Sequence, residues 1–142
     1  MAGERTYRLE VLTLQRMFWQ GDVRFVIAPG QEGLFEVLAG HAPYVFALKP
    51  GVLHVRLPDD RNQYMAVGGG FLVVQPDRTS VLTRSAELPE EIDVPRAQRA
   101  RERAEKRLME RGEGVDVPRA QAALARALAR LKVAEYAAAQ TR

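Results

Sequence analysis

A seven-residue segment occurs twice in the C-terminal part of the chain, and this repeat constrains the fold more than any other feature. Residues 92–98 read Ile-Asp-Val-Pro-Arg-Ala-Gln, and residues 115–121 repeat them with one Ile-to-Val change. In each copy the Asp is suited to cap a helix, and the Pro falls in the first turn, where its missing N–H group is harmless. The repeat therefore predicts two helices, and the Gly-Glu-Gly segment between them predicts an antiparallel hairpin.

The chain changes composition after Glu87. Residues 1–87 hold nine of the eleven glycines and nine of the ten aromatic residues, with nine basic and nine acidic residues. Residues 88–142 hold twelve basic against nine acidic residues, so the whole net charge of +3 lies there. The composition predicts an α+β protein, with a β domain over residues 1–87 and a helical domain over residues 88–142 that begins with a linker near residues 87–91.

Short β-rich runs separated by turn residues fill the first part. The runs are residues 7–13, 23–28, 44–48, 52–57, 63–67, 71–75 and 79–83. The residues that break them are Pro29-Gly30, Gly40, Pro50-Gly51, Pro58-Asp59-Asp60, Gly68-Gly69-Gly70 and Pro76-Asp77. This spacing is typical of an all-β sandwich or barrel, and the length suffices for one small two-sheet core.

Several function classes are excluded by residues that the chain lacks. It has no cysteine, so disulfides, thiolate zinc sites and thiol nucleophiles are excluded, and two histidines are too few for a multi-His metal site. No Lys-Ser or Lys-Thr follows Gly68-Gly69-Gly70, so these glycines predict a bulge or a close backbone approach rather than a phosphate loop. No apolar run approaches the ~18 residues of a membrane span. We expect a non-catalytic protein that is cytosolic or faces the cytosol.

Each predicted helix carries an apolar face. The two faces consist of alanines and aliphatic residues at helical spacing: Ala97, Ala100, Ala104 and Leu108 on the first helix, and Val117, Ala120, Leu124, Leu128, Leu131 and Ala138 on the second. Alanine buries little surface, at roughly 0.8 kcal/mol per methyl-sized group. Helix propensity is high in both segments. The pattern therefore predicts stable helices joined by a weak seam that can open.

The arginines of the hairpin are also clustered. At 100° per residue they fall in one sector of each helix: Arg96, Arg99, Arg103 and Arg107 on the first, and Arg119, Arg126 and Arg130 on the second. Such a set is either a solvated face relieved by i,i+4 pairs with Glu102, Glu105 and Glu110, or an anion site, because guanidinium groups suit phosphate and carboxylate oxygens. The spacing alone leaves both alternatives open.

Three motifs of the β part, followed by the charged Ala-rich hairpin, occur in the order found in a known family. Residues 29–43 read Pro-Gly-Gln-Glu-Gly-Leu-Phe-Glu-Val-Leu-Ala-Gly-His-Ala-Pro, residues 48–51 read Leu-Lys-Pro-Gly, and residues 69–71 read Gly-Gly-Phe. Over nearly its whole length the chain resembles the epsilon-subunit family of F-type ATP synthases. The Arg-rich hairpin is similar to that of the bacterial members.

The resemblance implies a β-sandwich of about ten strands and two helices, placed in the central stalk of a rotary proton-transporting complex at the cytoplasmic face of the bacterial plasma membrane. The β part would bind the gamma subunit and rest on the c-ring as a peripheral membrane protein. The implied ring contacts are Glu32, Gly33, Gly40, His41, Ala42 and Pro43. The hairpin would either fold onto the sandwich or extend beside gamma, where the seven clustered arginines would meet the alpha and beta catalytic subunits and inhibit ATP hydrolysis.

Some bacterial members of the family bind ATP on the folded hairpin. Their motif, Ile/Leu-Asp-x-x-Arg-Ala followed by five residues of any type and then Arg, is present from Ile92 to Arg103. The implied nucleotide-binding residues are Glu87, Asp93, Arg96, Ala97, Arg103, Arg126 and Arg130. The resemblance thus favours a nucleotide site over a solvated face, with ATP as a regulatory ligand and no required cofactor or metal.

Other residues carry smaller expectations. We expect His41 to make a surface hydrogen bond, His54 to be a strand side chain, and Phe18 with Trp19 to lie in the core or at a contact edge. Three positions depart from the family pattern: Glu36, Ala39 and Gly68. The alternative function is a basic nucleic-acid-binding module, suggested by the pI of about 9.6. Glutamates interleaved with the arginines weigh against it, so nucleic acid is not an expected partner.

Overall fold

Strands fill the first part of the chain and helices the second. The computed structural model describes residues 5–110 and 112–140. In chain order its elements are β1 (Tyr7–Leu12), β2 (Met17–Val23), β3 (Phe25–Gly30), β4 (Gly33–Leu38), β5 (Tyr44–Arg56), β6 (Asn62–Val74), β7 (Thr79–Thr83), β8 (Ala86–Glu87), a 3₁₀ turn (Pro89–Glu91), α1 (Val94–Glu110) and α2 (Val117–Gln140). The α+β prediction is confirmed, as is the hairpin of two helices.

The strands form one hydrogen-bonded sheet that folds back on itself as a sandwich. The strand order is β2-β1-β7-β6-β5-β3-β4, and β8 pairs with β6. All pairs are antiparallel except β1 with β7. The two longest strands serve both layers, because β7 pairs with the C-terminal half of β6 while β3 pairs largely with the C-terminal half of β5.

One core fills the space between the two layers. Its fully buried side chains come from both ends of the strand order: Leu9, Val11, Val23, Val26, Val37, Leu53, Val55, Met65, Leu72 and Val81 are 0–1% exposed. The Tyr7 hydroxyl donates to the Val37 carbonyl at 2.6 Å and so joins β1 to β4 across the sandwich. Burial raises the pKa of Tyr7 far above its ordinary value, so this hydroxyl stays a neutral donor.

The expectation of about ten strands is wrong, because the described residues form eight. Pro50-Gly51 and Gly68-Gly69-Gly70 were expected to end strands, but they lie inside β5 and β6, which continue through them. Pro29-Gly30 likewise lies in β3, and the turn follows it. The sequence runs also omit β2 and β4. The close backbone approach predicted for the glycine triplet is confirmed, since a Cβ on Gly70 would lie 1.9 Å from the Leu82 carbonyl oxygen.

Both helices start where the repeat predicts. The Asp93 carboxylate accepts the Arg96 backbone N–H at 3.1 Å, and Asp116 accepts that of Arg119 at the same distance. Each Pro occupies the second helical position, so it blocks no helical hydrogen bond. The residues expected to form a linker instead form β8 and the 3₁₀ turn, in which the Glu91 carboxylate accepts the Leu88 N–H at 2.9 Å.

Helix α2 lies between the sheet and α1. It contacts α1 on one side and both β5 and β6 on the other. Ala129 and Val133 pack on Ala66 of β6, together with Val52, Tyr64 and Ile92. The apolar face predicted for the second helix is therefore wrong in part. The buried residues of α2 are Ala120, Ala127, Ala129 and Val133, whereas Leu128 is 38% exposed. A helix packed closely on two sides buries its small residues and leaves larger ones at the margins.

Candidate functional site

An ion pair between the sheet and α2 is the best-defined polar contact of the predicted nucleotide site. Arg130 Nε donates to Glu87 Oε1 at 2.6 Å, and both side chains are about one-third exposed, at 32% and 28%. Glu87 ends β8, where it pairs with Ala66, so the contact adjoins the packing of Ala129 on the sheet. A partly exposed pair of this kind contributes about 1 kcal/mol to docking of the helix.

The remaining predicted nucleotide residues are placed on both helices. Asp93 is exposed at the start of α1, with its carboxylate already accepting a backbone N–H group. Ala97 is buried in the α1 face that meets α2, Arg96 and Arg103 are exposed, and Arg126 is partly buried. The structure thus brings Glu87 and Arg130 into contact. Among the described residues, the side chains of Arg96, Arg103 and Arg126 make no hydrogen bond or ion pair.

Antiparallel packing sets the arginines of the two helices at matching heights. Arg103 and Arg126 lie about 10 Å and about 14 Å along the axis from the ends of α1 and α2 that face the connecting turn, at 1.5 Å per residue. Arg96 and Arg130 lie about 21 Å and about 20 Å from the same ends by the same arithmetic. By this arithmetic the backbone of Arg103 lies near the height of Arg126 along the hairpin, and that of Arg96 near the height of Arg130.

Six of the seven clustered arginines form no ion pair with a carboxylate of the described residues. Among residues 5–110 and 112–140, the ion pairs of the two helices are Arg101 with Glu105 and Arg130 with Glu87. Arg101 is not one of the clustered arginines. The six that form no ion pair with a described residue are Arg96, Arg99, Arg103, Arg107, Arg119 and Arg126. Among the described residues, none of these six forms the i,i+4 ion pair expected for a solvated face.

A polar cavity lies at the turn between the helices. Its volume is about 360 Å³, and it is lined by Arg107 and Glu110 of α1, by Asp116 and by Arg119 of α2. It therefore brings together one clustered arginine from each helix. Two carboxylates share the same lining, so this cavity is close to neutral and is a weaker anion site than the arginines farther along the hairpin.

The two segments predicted to contact the c-ring meet around Phe46 of β5. Glu32 lies in the β3–β4 turn and Gly33 begins β4, while Gly40, His41, Ala42 and Pro43 lie in the loop between β4 and β5. The Phe46 ring stacks on Phe35 with centroids 4.0 Å apart, and it meets the His41 ring edge-on at 5.8 Å. His41 itself is exposed, and its Nδ1 lies 2.6 Å from the Ala42 carbonyl oxygen. Aromatic packing therefore holds both segments at one end of the sandwich.

An exposed apolar stripe on the sandwich was missed by the sequence analysis. Phe71 pairs with Leu82, which pairs with Leu12, which in turn pairs with Met17, and paired residues share a face of the sheet. Val45 lies on the same face, two residues from Ala47, the partner of Phe71 on β5. The apolar stripe consists of Leu12, Met17, Val45, Phe71 and Leu82. Its members include Phe71 at 51% exposed and Val45 at 57%.

The hairpin covers the other outer face and leaves this one bare. Helix α2 packs on Val52, Tyr64 and Ala66, which belong to the C-terminal half of β5 and the N-terminal half of β6. The apolar stripe uses the opposite halves of the same two strands. A contiguous exposed apolar surface of this kind marks a contact with another protein. The only sequence signal for it is that residues 71–74 are apolar on both faces of their strand; the other members are identified by the strand register.

Within residues 5–110 and 112–140, no group of three or more His, Asp or Glu is arranged to hold a metal ion. No helix in the same ranges combines the length and the apolar character needed to cross a membrane.

The fold and its surfaces define a two-part binding protein, a β-sandwich with one bare apolar face and a basic helical hairpin docked on the other. Residues 6–89 match the family model described as "ATP synthase, Delta/Epsilon chain, beta-sandwich domain", and residues 90–135 match "ATP synthase, Delta/Epsilon chain, long alpha-helix domain". The chain therefore belongs to the ATP synthase delta/epsilon chain family, as an epsilon chain.

Two relatives and one solved structure match this chain over nearly its full length. The chain is 44% identical to the ATP synthase epsilon chain of Syntrophomonas wolfei, over 94% of this chain and 97% of that one. It is 49% identical to the epsilon chain of Pelotomaculum thermopropionicum, over 93% and 98%. A chain in the cryo-EM structure of the Euglena gracilis mitochondrial ATP synthase, OSCP/F1/c-ring, superposes with a TM-score of 0.77 at 26% identity, over 93% of this chain and 81% of that one.

Proposed function

We propose that this epsilon chain is a regulatory and coupling subunit whose hairpin binds ATP when docked and inhibits ATP hydrolysis when extended. Residues 1–87 and 88–142 act as two domains in this proposal. The observation that carries it is a set of six arginines that form no ion pair with a described residue, on a hairpin whose contact with the sheet is built around Ala66, Ala129 and Val133. The docked hairpin uses these arginines for ATP, and the extended hairpin presents them to the alpha and beta catalytic subunits.

The docking contacts support a hairpin that can leave the sandwich. The apolar contact is built mainly from Ala66, Ala129 and Val133, and the main polar contact is the partly exposed pair of Glu87 with Arg130. Helix α1 packs mainly on α2. Undocking separates these contacts, and both helices keep their own caps at Asp93 and Asp116.

Two surfaces remain, the apolar stripe and the segments around Phe46, and they suit the two permanent partners of a central-stalk subunit. We assign the apolar stripe to the gamma subunit, because a hydrophobic sheet face suits a permanent partner. The segments around Phe46 are assigned to the c-ring, since they lie at one end of the sandwich and expose polar loop residues. These contacts would place the chain at the cytoplasmic face of the bacterial plasma membrane as a peripheral protein.

ATP binding to the isolated chain tests the docked form of the site. We expect one ATP per chain, without a need for Mg²⁺ as a catalytic ion, and at least tenfold weaker binding for Arg103→Ala and for Arg126→Ala, because each removes a charge-assisted contact of about 1.5–3 kcal/mol. At tenfold excess over Kd, ATP should stabilise the docked hairpin by about 1.4 kcal/mol. Calorimetric titration and thermal melting measure the two effects.

Arg101→Ala is the matched control for this titration. Arg101 lies on the same helix but is paired with Glu105 and is outside the nucleotide set, so its replacement should leave ATP affinity within about twofold. If millimolar ATP gives neither heat nor a thermal shift, the arginines do not form a nucleotide site. An equal loss of affinity in Arg101→Ala and Arg103→Ala would mean that general positive charge, not the proposed site, attracts ATP.

Inhibition can be tested with arginines that are outside the nucleotide set. Replacing Arg99, Arg107 and Arg119 together with alanine should raise ATP hydrolysis by the assembled complex several-fold, because the summed attraction of these charges to acidic partners is lost. ATP binding to the isolated chain should not change. Hydrolysis by a complex whose chain ends at residue 87 sets the fully released level, and a triple variant that stays at the original level would exclude these arginines from inhibition.

A further inference from the structure

An apolar cleft separates part of α2 from the sheet on the side away from the basic face. Its volume is about 600 Å³, which is within the range of small-molecule sites. Ile27 and Val52 line it from the sheet, and Leu128 lines it from α2. The cleft residues of α2 and its clustered arginines lie about 130° apart around the helix at 3.6 residues per turn. The cleft is therefore distinct from the predicted nucleotide site.

Stacked rings bridge the sheet and the helix at this cleft. Tyr64 of β6 stacks on His54 of β5 with centroids 4.7 Å apart, and its other neighbour is Tyr136 of α2 at 5.1 Å. All three residues line the cleft. The rings give it a fixed wall, and Leu128 opposite them keeps 38% of its surface exposed, although it is a large apolar side chain. The cleft thus presents apolar surface that the described part of the chain does not cover.

Two lysines, one from each wall, supply the charge. The chain has only three lysines beside eighteen arginines, and two of them, Lys49 of β5 and Lys132 of α2, line this cleft. Neither forms an ion pair with a residue of the described ranges, and the lining contains no Asp or Glu. A lysine stem can lie along apolar surface while its ammonium group reaches a charged partner. The cleft therefore combines an apolar wall with an unneutralised positive rim.

We propose that this cleft binds a small amphipathic carboxylate, a molecule with one anionic head and an apolar body. The head lies between the ammonium groups of Lys49 and Lys132, and the body lies against Leu128 and the tyrosine rings. The charge complementarity selects this occupant, because a neutral apolar ligand leaves both lysines unpaired and a polyanion finds no further cations in the lining.

Binding in this cleft would hold the hairpin on the sandwich. One wall belongs to the sheet and the other to α2, so the site exists only while the helix is docked. A ligand that binds only the docked form lowers the undocked population by the factor 1 + [L]/Kd, or about elevenfold at tenfold excess over Kd. The cleft would therefore be a second site of control over the same movement, independent of the arginines.

Lysine labelling in the full chain tests the site, with dodecanoate as the probe below its micelle-forming concentration. Acetylation at each lysine is measured by mass spectrometry with and without the probe. We expect Lys49 and Lys132 to be protected at least fivefold, while Lys106, exposed on α1 outside the cleft, reacts at its original rate and serves as the internal control. Methyl dodecanoate, which has the same body without the charge, should protect neither lysine.

Substitutions distinguish this site from general adsorption of the probe. Lys49→Gln and Lys132→Gln should each weaken dodecanoate binding about tenfold in calorimetric titration, whereas Lys106→Gln should not change it. Leu128→Asp should abolish binding while the melting of the β part is retained. Equal protection of all three lysines, binding of methyl dodecanoate with equal affinity, or no protection at saturating probe would each overturn the proposal.

Discussion

Replacing Gly70 with alanine is expected to destabilise the β part by about 3 kcal/mol or more, because the new methyl group meets backbone atoms and the residue is also strained. Gly70 has φ of +132°, and a Cβ there would lie 1.9 Å from the Leu82 carbonyl oxygen and 3.0 Å from the Thr83 Cα. Gly70 and Thr83 are paired strand residues, so the two backbones cannot separate without breaking the β6–β7 ladder. Urea unfolding followed by Trp19 fluorescence measures the loss.

Gly33→Ala separates strain from collision. Gly33 has nearly the same backbone angle, with φ of +135°, but a Cβ there meets no atom within 4 Å. Its replacement should therefore cost only the strain, about 1–3 kcal/mol. The difference between the two variants measures the collision at Leu82. Equal losses of stability in Gly70→Ala and Gly33→Ala would contradict the close approach of β6 and β7.

The helices could be predicted because their signals are local. Asp93 and Asp116 cap within three residues of their own positions, and both are followed by residues of high helix propensity. The predicted strand boundaries were wrong where pairing between strands overrides the local preference of the residues. Pro50-Gly51 and the glycine triplet are opposite one another in the β5–β6 ladder, so two apparent breaks form one irregularity inside two continuous strands.

Packing between distant segments explains the other differences. Helix α2 packs against both α1 and the sheet, and these two contacts together decide which of its residues are buried. The periodicity of α2 indicates one apolar face and contains no information about the contact with the sheet. Arg130 pairs with Glu87, 43 positions away in the sequence. Helical spacing placed Arg130 among the clustered arginines, whereas Glu87 was implied only by the family resemblance. The apolar stripe also required the strand register, because its members come from five strands.

The largest functional effect is expected from charge placed on the apolar stripe. Phe71→Glu and Leu82→Glu should each reduce binding of the gamma subunit at least a hundredfold, because a carboxylate buried without a partner in an apolar contact costs several kcal/mol. Both side chains are exposed in the isolated chain, at 51% and 44%, so the variants should fold and melt as the original does. Copurification of gamma with the tagged chain measures the binding.

Met109→Glu is the matched control, since Met109 is a large apolar side chain at the end of α1 that is 85% exposed and lies outside the stripe. The same change of charge there should leave gamma binding intact. Complexes assembled with Phe71→Glu should also lose control of hydrolysis by the hairpin, because a chain that is not held on the stalk cannot deliver its arginines to the catalytic subunits. Retention of gamma by both stripe variants would assign that partner to another surface and leave the stripe without its proposed contact.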